Sequence, residues 1–146
     1  LGYSIGGAIG LLVSSRSDRV ASVVADSSFA DLALMIKHGA AKRFKLLNVF
    51  MPGMRLAVRL LYGFDIGWIS PVQALEASTR PVMLIHGELD SVVPMINFRM
   101  LSRVIEGGAG ETWLVPDAGH IQSYRTHPEE YARRVVNFFE RTLKFG

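Results

Sequence analysis

Apolar positions along this chain come in two alternating kinds of segment. Short Val-, Ile- and Leu-rich runs at residues 19–25, 81–85 and 111–115 read as buried strands, each broken by polar or glycine-containing stretches. Between them, apolar residues recur at helical spacing. Residues 5–15 predict a helix whose Gly6, Gly7, Ala8 and Gly10 allow close packing on a sheet. Leu32, Met35 and Ile36 mark a helix over residues 31–43. A further helix begins at Pro52, the position proline prefers, with Met54, Val58 and Leu61 on one face and Arg55 and Arg59 on another. Residues 71–77 make a short helix, and residues 94–105 a longer one closed by Gly107-Gly108. The run Thr126-His127-Pro128-Glu129-Glu130 opens a last helix, its acids suiting the positive end, that extends to about residue 143. Strands alternating with helices imply an α/β fold with a parallel sheet and right-handed crossovers. There are no internal repeats or low-complexity tracts.

Composition sharpens this picture in two ways. The 146 residues make one domain at most, yet 49% are hydrophobic and the mean hydropathy is +0.26, high for a soluble domain of this size. A chain forming part of a larger fold would keep such apolar faces. The net charge of +3 is unevenly placed: Lys37, Lys42, Arg43, Lys45, Arg55 and Arg59 lie between Leu32 and Tyr62 without one acid, while the other residues carry ten basic and thirteen acidic groups. With no cysteine, disulfides, thiolate catalysis and Cys-ligated zinc are excluded. No histidine or carboxylate cluster has ligand spacing, so the reading carries no metal and no cofactor. No uninterrupted apolar stretch reaches the roughly 18 residues of a membrane span. The uncharged opening, residues 1–15, lacks the basic start of a signal peptide. The protein is therefore expected in the cytoplasm, with any targeting or anchoring segment upstream.

Three local motifs carry chemistry. Residues 2–6, Gly-Tyr-Ser-Ile-Gly, form the G-x-S-x-G pattern of a sharp strand-to-helix turn that lifts a serine clear of the backbone. Side chains in place of Gly2 and Gly6 are expected to collide with the neighbouring strand and helix. The strand that should lead into the turn is absent, since only Leu1 precedes it. Residues 82–90, Val-Met-Leu-Ile-His-Gly-Glu-Leu-Asp, form a strand and a loop ending on an acid; residues 112–120, Thr-Trp-Leu-Val-Pro-Asp-Ala-Gly-His, form another ending on a histidine. Ser4 is thus followed 86 residues on by Asp90, and Asp90 a further 30 residues on by His120.

Serine, acid, histidine is the chain order of the α/β-hydrolases. GYSIGG, HGELDSVVP and PDAGH followed by a C-terminal helix resemble that superfamily, and more narrowly bacterial serine aminopeptidase-like and prolyl-oligopeptidase-like hydrolases. The resemblance spans Gly2 to the final helix and is weakest between Asp31 and Trp68. It implies the C-terminal part of an α/β-hydrolase fold, with the three strands the last three of eight, Ser4 following the fifth, and a cap at about residues 31–68. An open sheet edge is expected where the fifth strand would pair. The resemblance also implies a Ser4–His120–Asp90 triad: His120 as the base the weakly nucleophilic hydroxyl needs, Asp90 fixing its tautomer, and the Ile5 backbone N–H as one oxyanion donor. The second donor belongs to an upstream loop, so this chain alone is expected to be inactive while its parent is active.

Other residues compete for these roles. Asp26 also ends a strand, and some α/β-hydrolases carry the acid there; HGELDSVVP favours Asp90. Asp117 reads as a turn residue, His86 as a structural histidine of the His-Gly turn, and His38 and His127 as solvated. The resemblance implies a small ester, thioester or amide as substrate. Esterase and peptidase are not separated, and a prolyl-oligopeptidase-like parent would carry a propeller upstream. A binding-only relative, or a scaffold fragment pairing with a separate N-terminal half, are the other readings. The basic insertion reads first as a packed cap with a solvated cationic face, and second as a weak contact with an anionic membrane surface. Its cations are not interleaved with stacking aromatics, so no nucleic-acid partner is expected.

Overall fold

The structure, a computed structural model, describes residues 1–43, 47–63, 65–106, 108 and 110–143. Lys45 of the basic insertion and Gly107 of the expected helix stop lie outside the described residues, as do the side chains of Lys42, Arg43 and Met54.

Four parallel strands lie side by side in chain order: β1 (Gly2–Tyr3), β2 (Val23–Asp26), β3 (Val82–Gly87) and β4 (Glu111–Val115). Three strands were expected from the sequence. The fourth is the end of the lead-in strand thought absent, where Gly2 and Tyr3 pair with Ala25 and Asp26. Two residues are too few to make a periodic pattern, so only pairing reveals them. β2 starts at Val23 rather than residue 19, because a turn with Val20 N–H donating to Ser17 O precedes it. β3 runs two residues beyond the expected end and takes in His86 and Gly87, which face Leu114 and Val115.

Both faces of the sheet are covered, which explains why its strands read as continuous apolar runs rather than alternating ones. Successive side chains point to opposite faces. Val24, Met83, Ile85, Trp113 and Val115 face one way and pack with Tyr131, Val135 and Phe138 of the last helix, α7 (Pro128–Thr142). Val23, Ala25, Val82 and Leu84 face the other way and pack with Leu11 of α1 (Ile5–Ser14), Leu75 of α4 (Pro71–Glu76) and Leu101 of α5 (Met95–Ile105). Fully buried residues such as Leu84, Ile85 and Phe138 contribute on the order of 1.5–3 kcal/mol each.

Between β2 and α4 lie α2 (Leu32–Arg43), α3 (Leu47–Tyr62) and a 3₁₀ turn at Ile66–Trp68. Helix α3 begins before Pro52, which therefore sits inside it and not at its start. A proline there removes one helical N–H and crowds the carbonyl four residues back. Asp65 braces the foot of this segment: its Oδ1 accepts from Arg55 at 2.7 Å and from the Gly67 N–H at 2.7 Å. A one-turn helix, α6 (Ser123–Thr126), precedes α7, which opens at Pro128. Among the described residues, no helix is long and apolar enough to cross a membrane.

Candidate active site

Ser4, Asp26, Asp90 and His120 all lie at or just beyond the carboxyl ends of the strands, where loops of a parallel sheet converge. Ser4 links β1 to α1 in a backbone conformation of φ 48°. Its N–H donates to Asp26 O at 2.8 Å, and its carbonyl accepts from Ala8 N–H and from the Ser28 hydroxyl. A Cβ at Gly2 would stand 2.4 Å from Gly6 C, and one at Gly7 2.0 Å from the Ser28 hydroxyl, so these two glycines let the turn close. Gly6 departs from expectation: a Cβ there meets no heavy atom within 4 Å among the described residues. Ile5 is the first residue of α1, and its N–H has no carbonyl to bond within the helix.

Asp90 follows β3 in a tight turn, its N–H donating to Gly87 O. Its side chain is fully buried. One oxygen, Oδ1, accepts from the Val92 and Val93 N–H groups at 2.8 Å each, leaving Oδ2 for His120 Nδ1, also 2.8 Å away. The acid is therefore saturated by backbone on one side and aimed at the imidazole on the other. His120 is brought in by the loop after β4, which crosses close over the end of β3. A Cβ on Gly87 would stand 2.2 Å from Ala118 O, so only glycine permits that crossing.

Asp26 is not part of the Asp90–His120 pair. It is buried, and one oxygen, Oδ1, accepts from the Ser27 hydroxyl at 3.1 Å while Oδ2 has no partner among the described residues. Burial pushes its pKa up to about 6, against the opposing effect of the Ser27, Tyr131 and Ser123 hydroxyls.

The remaining histidines differ from expectation. His86 lies within β3, buried and stacked on Phe98 with ring centroids 5.5 Å apart. Its Nε2 lies 3.9 Å from the same Asp90 oxygen that meets His120, and burial lowers its pKa, favouring the neutral ring. His127 is not free in solvent: its Nε2 lies 2.7 Å from Asp117 Oδ1, and this contact holds the Asp117 carboxyl below its ordinary pKa. His38 Nδ1 is buried without a partner among the described residues. For His86 and His38 the cause is burial, which is set by packing that local sequence does not display, whereas His127 stays half-exposed and gains only its pairing with Asp117.

The sequence alone presents Asp26 only as a rival acid and a strand-end residue, and gives Ser27 and Ser28 no role. All three residues are buried. A run of three polar residues at the end of an apolar strand was the available signal.

A cavity of about 630 Å³ lies between α2 and α3, lined by Leu34, Lys37, Leu56, Arg59 and the Arg55–Asp65 pair. Its lining includes none of Ser4, Asp90 or His120, so this cavity and the candidate chemistry are separate features.

The whole chain, residues 1–146, matches the prolyl oligopeptidase family. It belongs to that family. The family relatives include YfhR of Escherichia coli O157:H7, described as uncharacterized, to which the chain is 30% identical over 142 residues, covering 94% of this chain and 43% of the relative. Among solved structures, the Pyrococcus furiosus esterase Pf2001 superposes with a TM-score of 0.70 at 23% identity, over 97% of this chain and 52% of the esterase. A puromycin-hydrolyzing peptidase of Mycobacterium tuberculosis superposes with a TM-score of 0.77 at 18% identity, over 99% of this chain and 22% of the peptidase. The acylaminoacyl peptidase of Pyrococcus horikoshii gives a TM-score of 0.68 at 18% identity, over 99% and 24%. The chain thus spans about half the length of the esterase and less than half that of its curated relatives. Its parallel sheet and flanking helices are those of the α/β-hydrolase fold, in keeping with a C-terminal portion of it, and the prolyl oligopeptidase family is one of serine hydrolases.

Proposed function

We propose that the protein containing this chain hydrolyses small esters, thioesters or amides through an acyl-enzyme on Ser4. The observation that carries this reading is the 2.8 Å contact between His120 Nδ1 and a buried Asp90 whose other oxygen is already occupied. Asp90 accepts a hydrogen bond from Nδ1–H, which keeps the ring proton on that nitrogen and leaves Nε2 free to take the Ser4 proton as the hydroxyl oxygen attacks the substrate carbonyl. His120 then passes that proton to the leaving alcohol, thiol or amine. Water repeats the sequence on the acyl-Ser4 ester, releasing the acid and restoring the hydroxyl. The Ile5 N–H, at the positive end of α1, meets the oxyanion, and an upstream segment of the parent supplies the second donor. Residues 31–68 serve as a cap over this site, and its cations are available to anionic groups of a substrate or to an anionic membrane surface.

The test is mass spectrometry of the full-length protein after exposure to a fluorophosphonate, which captures activated serines. Labelling confined to Ser4, and lost in Ser4→Ala and His120→Ala, is the expected result. Those two substitutions should each lower kcat on the order of 10⁶-fold and Asp90→Asn on the order of 10⁴-fold, by analogy with triads elsewhere. A folded parent that does not label would give preference to a binding-only member of the family. If Asp26→Asn removed labelling and Asp90→Asn spared it, Asp26 would replace Asp90 as the acid.

A further inference from the structure

Ser27 joins two segments that lie far apart in sequence. It takes up a left-handed backbone conformation, φ 54°, directly after β2, with its N–H donating to Ile85 O at 2.9 Å. Its hydroxyl donates to Asp26 Oδ1 at 3.1 Å, which turns the oxygen lone pairs away from the carboxyl group. The Ile121 N–H donates to that same oxygen at 3.1 Å. Ile121 is also left-handed, φ 57°, which a β-branched side chain resists. On the other side of His120, the Gly119 N–H donates to Gln122 Oε1. The amides on both sides of His120 are therefore held by side chains, and the one that ties its loop back to the sheet is Ser27. The preceding and following residues reach the nucleophile: Asp26 O accepts from the Ser4 N–H, and the Ser28 hydroxyl donates to Ser4 O.

We infer that Ser27 is a positioning residue for the hydrolytic site: its hydroxyl, oriented by Asp26, holds Ile121 in the strained conformation that sets His120 between Asp90 and Ser4. The inference rests on the proposed roles of Ser4 and His120. Ser27 touches neither substrate nor reacting atoms, so its effect belongs in the chemical step and not in substrate binding.

The experiment uses the full-length protein with Ser27→Ala and Ser27→Gly, the second keeping the left-handed backbone at no steric cost while still deleting the hydroxyl. Fluorophosphonate labelling rate and ester hydrolysis are measured per folded molecule, the folded fraction being read from near-UV circular dichroism. Displacement of a catalytic group by about 1 Å is worth on the order of 10²-fold in rate, so both variants should fall 10- to 100-fold in labelling rate and kcat with KM within twofold of wild type. Equal loss in Ala and Gly variants assigns the effect to the hydroxyl. Wild-type rates per folded molecule in both variants, whatever their folded fraction, would overturn the inference, and so would a raised KM at unchanged kcat. Loss in Ser27→Ala that Ser27→Gly restores would also overturn it, by tracing the effect to backbone conformation. A wild-type protein that never labels would instead remove the underlying reading, and is distinguished by needing no variant.

Discussion

Ser4, Ser27 and Ile121 adopt left-handed backbone at φ 48°, 54° and 57°, and among the described residues no other non-glycine residue does so. Each such conformation costs on the order of 1–3 kcal/mol and persists where surrounding bonds over-determine it. Here those bonds are the Ser4 N–H to Asp26 O and the Ile121 N–H to the Ser27 hydroxyl. Asp26, beneath them, has a titration of its own. Its folded-state pKa of about 6 stands above the ordinary carboxyl value of 3.8 because burial disfavours the charge. Between those values the folded state binds more protons than the unfolded one, so stability falls as pH rises through about 6. Below about pH 4 the contribution is fully present. Relative to Asp26→Asn, the wild-type full-length protein should lose about 2–3 kcal/mol of unfolding free energy between pH 4 and pH 7, measured by urea denaturation at each pH. Parallel curves for the two proteins would show that Asp26 does not titrate in this window. The candidate triad was legible in the sequence because each member sits in a local pattern: a glycine-flanked serine, and two strand-loop segments ending on an acid and a histidine. Ser27 was not, because its hydroxyl acts on a residue 94 positions away.

At the scale of elements, the sheet is legible wherever an apolar run is long enough to be covered on both faces, as in β3 and β4. It is illegible in β1, whose two residues are recognisable only by pairing with Ala25 and Asp26. The start of α3 misled for a related reason: Pro52 obeys a position preference that helix continuity from Leu47 overrides. The crossing of the β4 loop over the end of β3 was also hidden, since a glycine following a strand is usually read as a turn. That crossing gives a test. Gly87→Ala puts a methyl group into Ala118 O, and the backbone there has no soft side chain to yield. The expected outcome in the full-length protein is a loop pushed off β3, with labelling of Ser4 reduced on the order of 10²-fold. Normal labelling in this variant would mean that the loop shifts without moving His120.

For the molecule as a whole, the two apolar clusters account for one side of α1, α4, α5 and α7 and leave another face of α1 uncovered. Ile5, Ile9 and Val13 recur every four residues along α1, between 41% and 64% exposed, which is a helix stripe and not a scatter of single residues. Since the chain spans 52% of the Pf2001 esterase, the remaining half of such a domain is the occupant proposed for this stripe. Ile9→Lys therefore has opposite expected effects in two settings. In the isolated 146-residue chain it should reduce self-association, read by sedimentation velocity. In the full-length protein it should lower the melting temperature by several degrees, as a buried charge costs a few kcal/mol. A full-length protein indifferent to Ile9→Lys would mean that the stripe stays open to solvent.

The tripeptide Asp26-Ser27-Ser28 on the second strand has a consequence for how the molecule is assembled. The proposed nucleophile, Ser4, comes from the first loop of the chain and His120 from the last strand-loop segment, and both loops are tied to this one central point. A nascent or half-folded chain can hold Ser4 in its turn, but until β4 has docked beside β3 no imidazole stands ready to receive its proton. On the proposed mechanism, a chain in which β4 is undocked therefore has no base for Ser4 and is expected not to label with a fluorophosphonate.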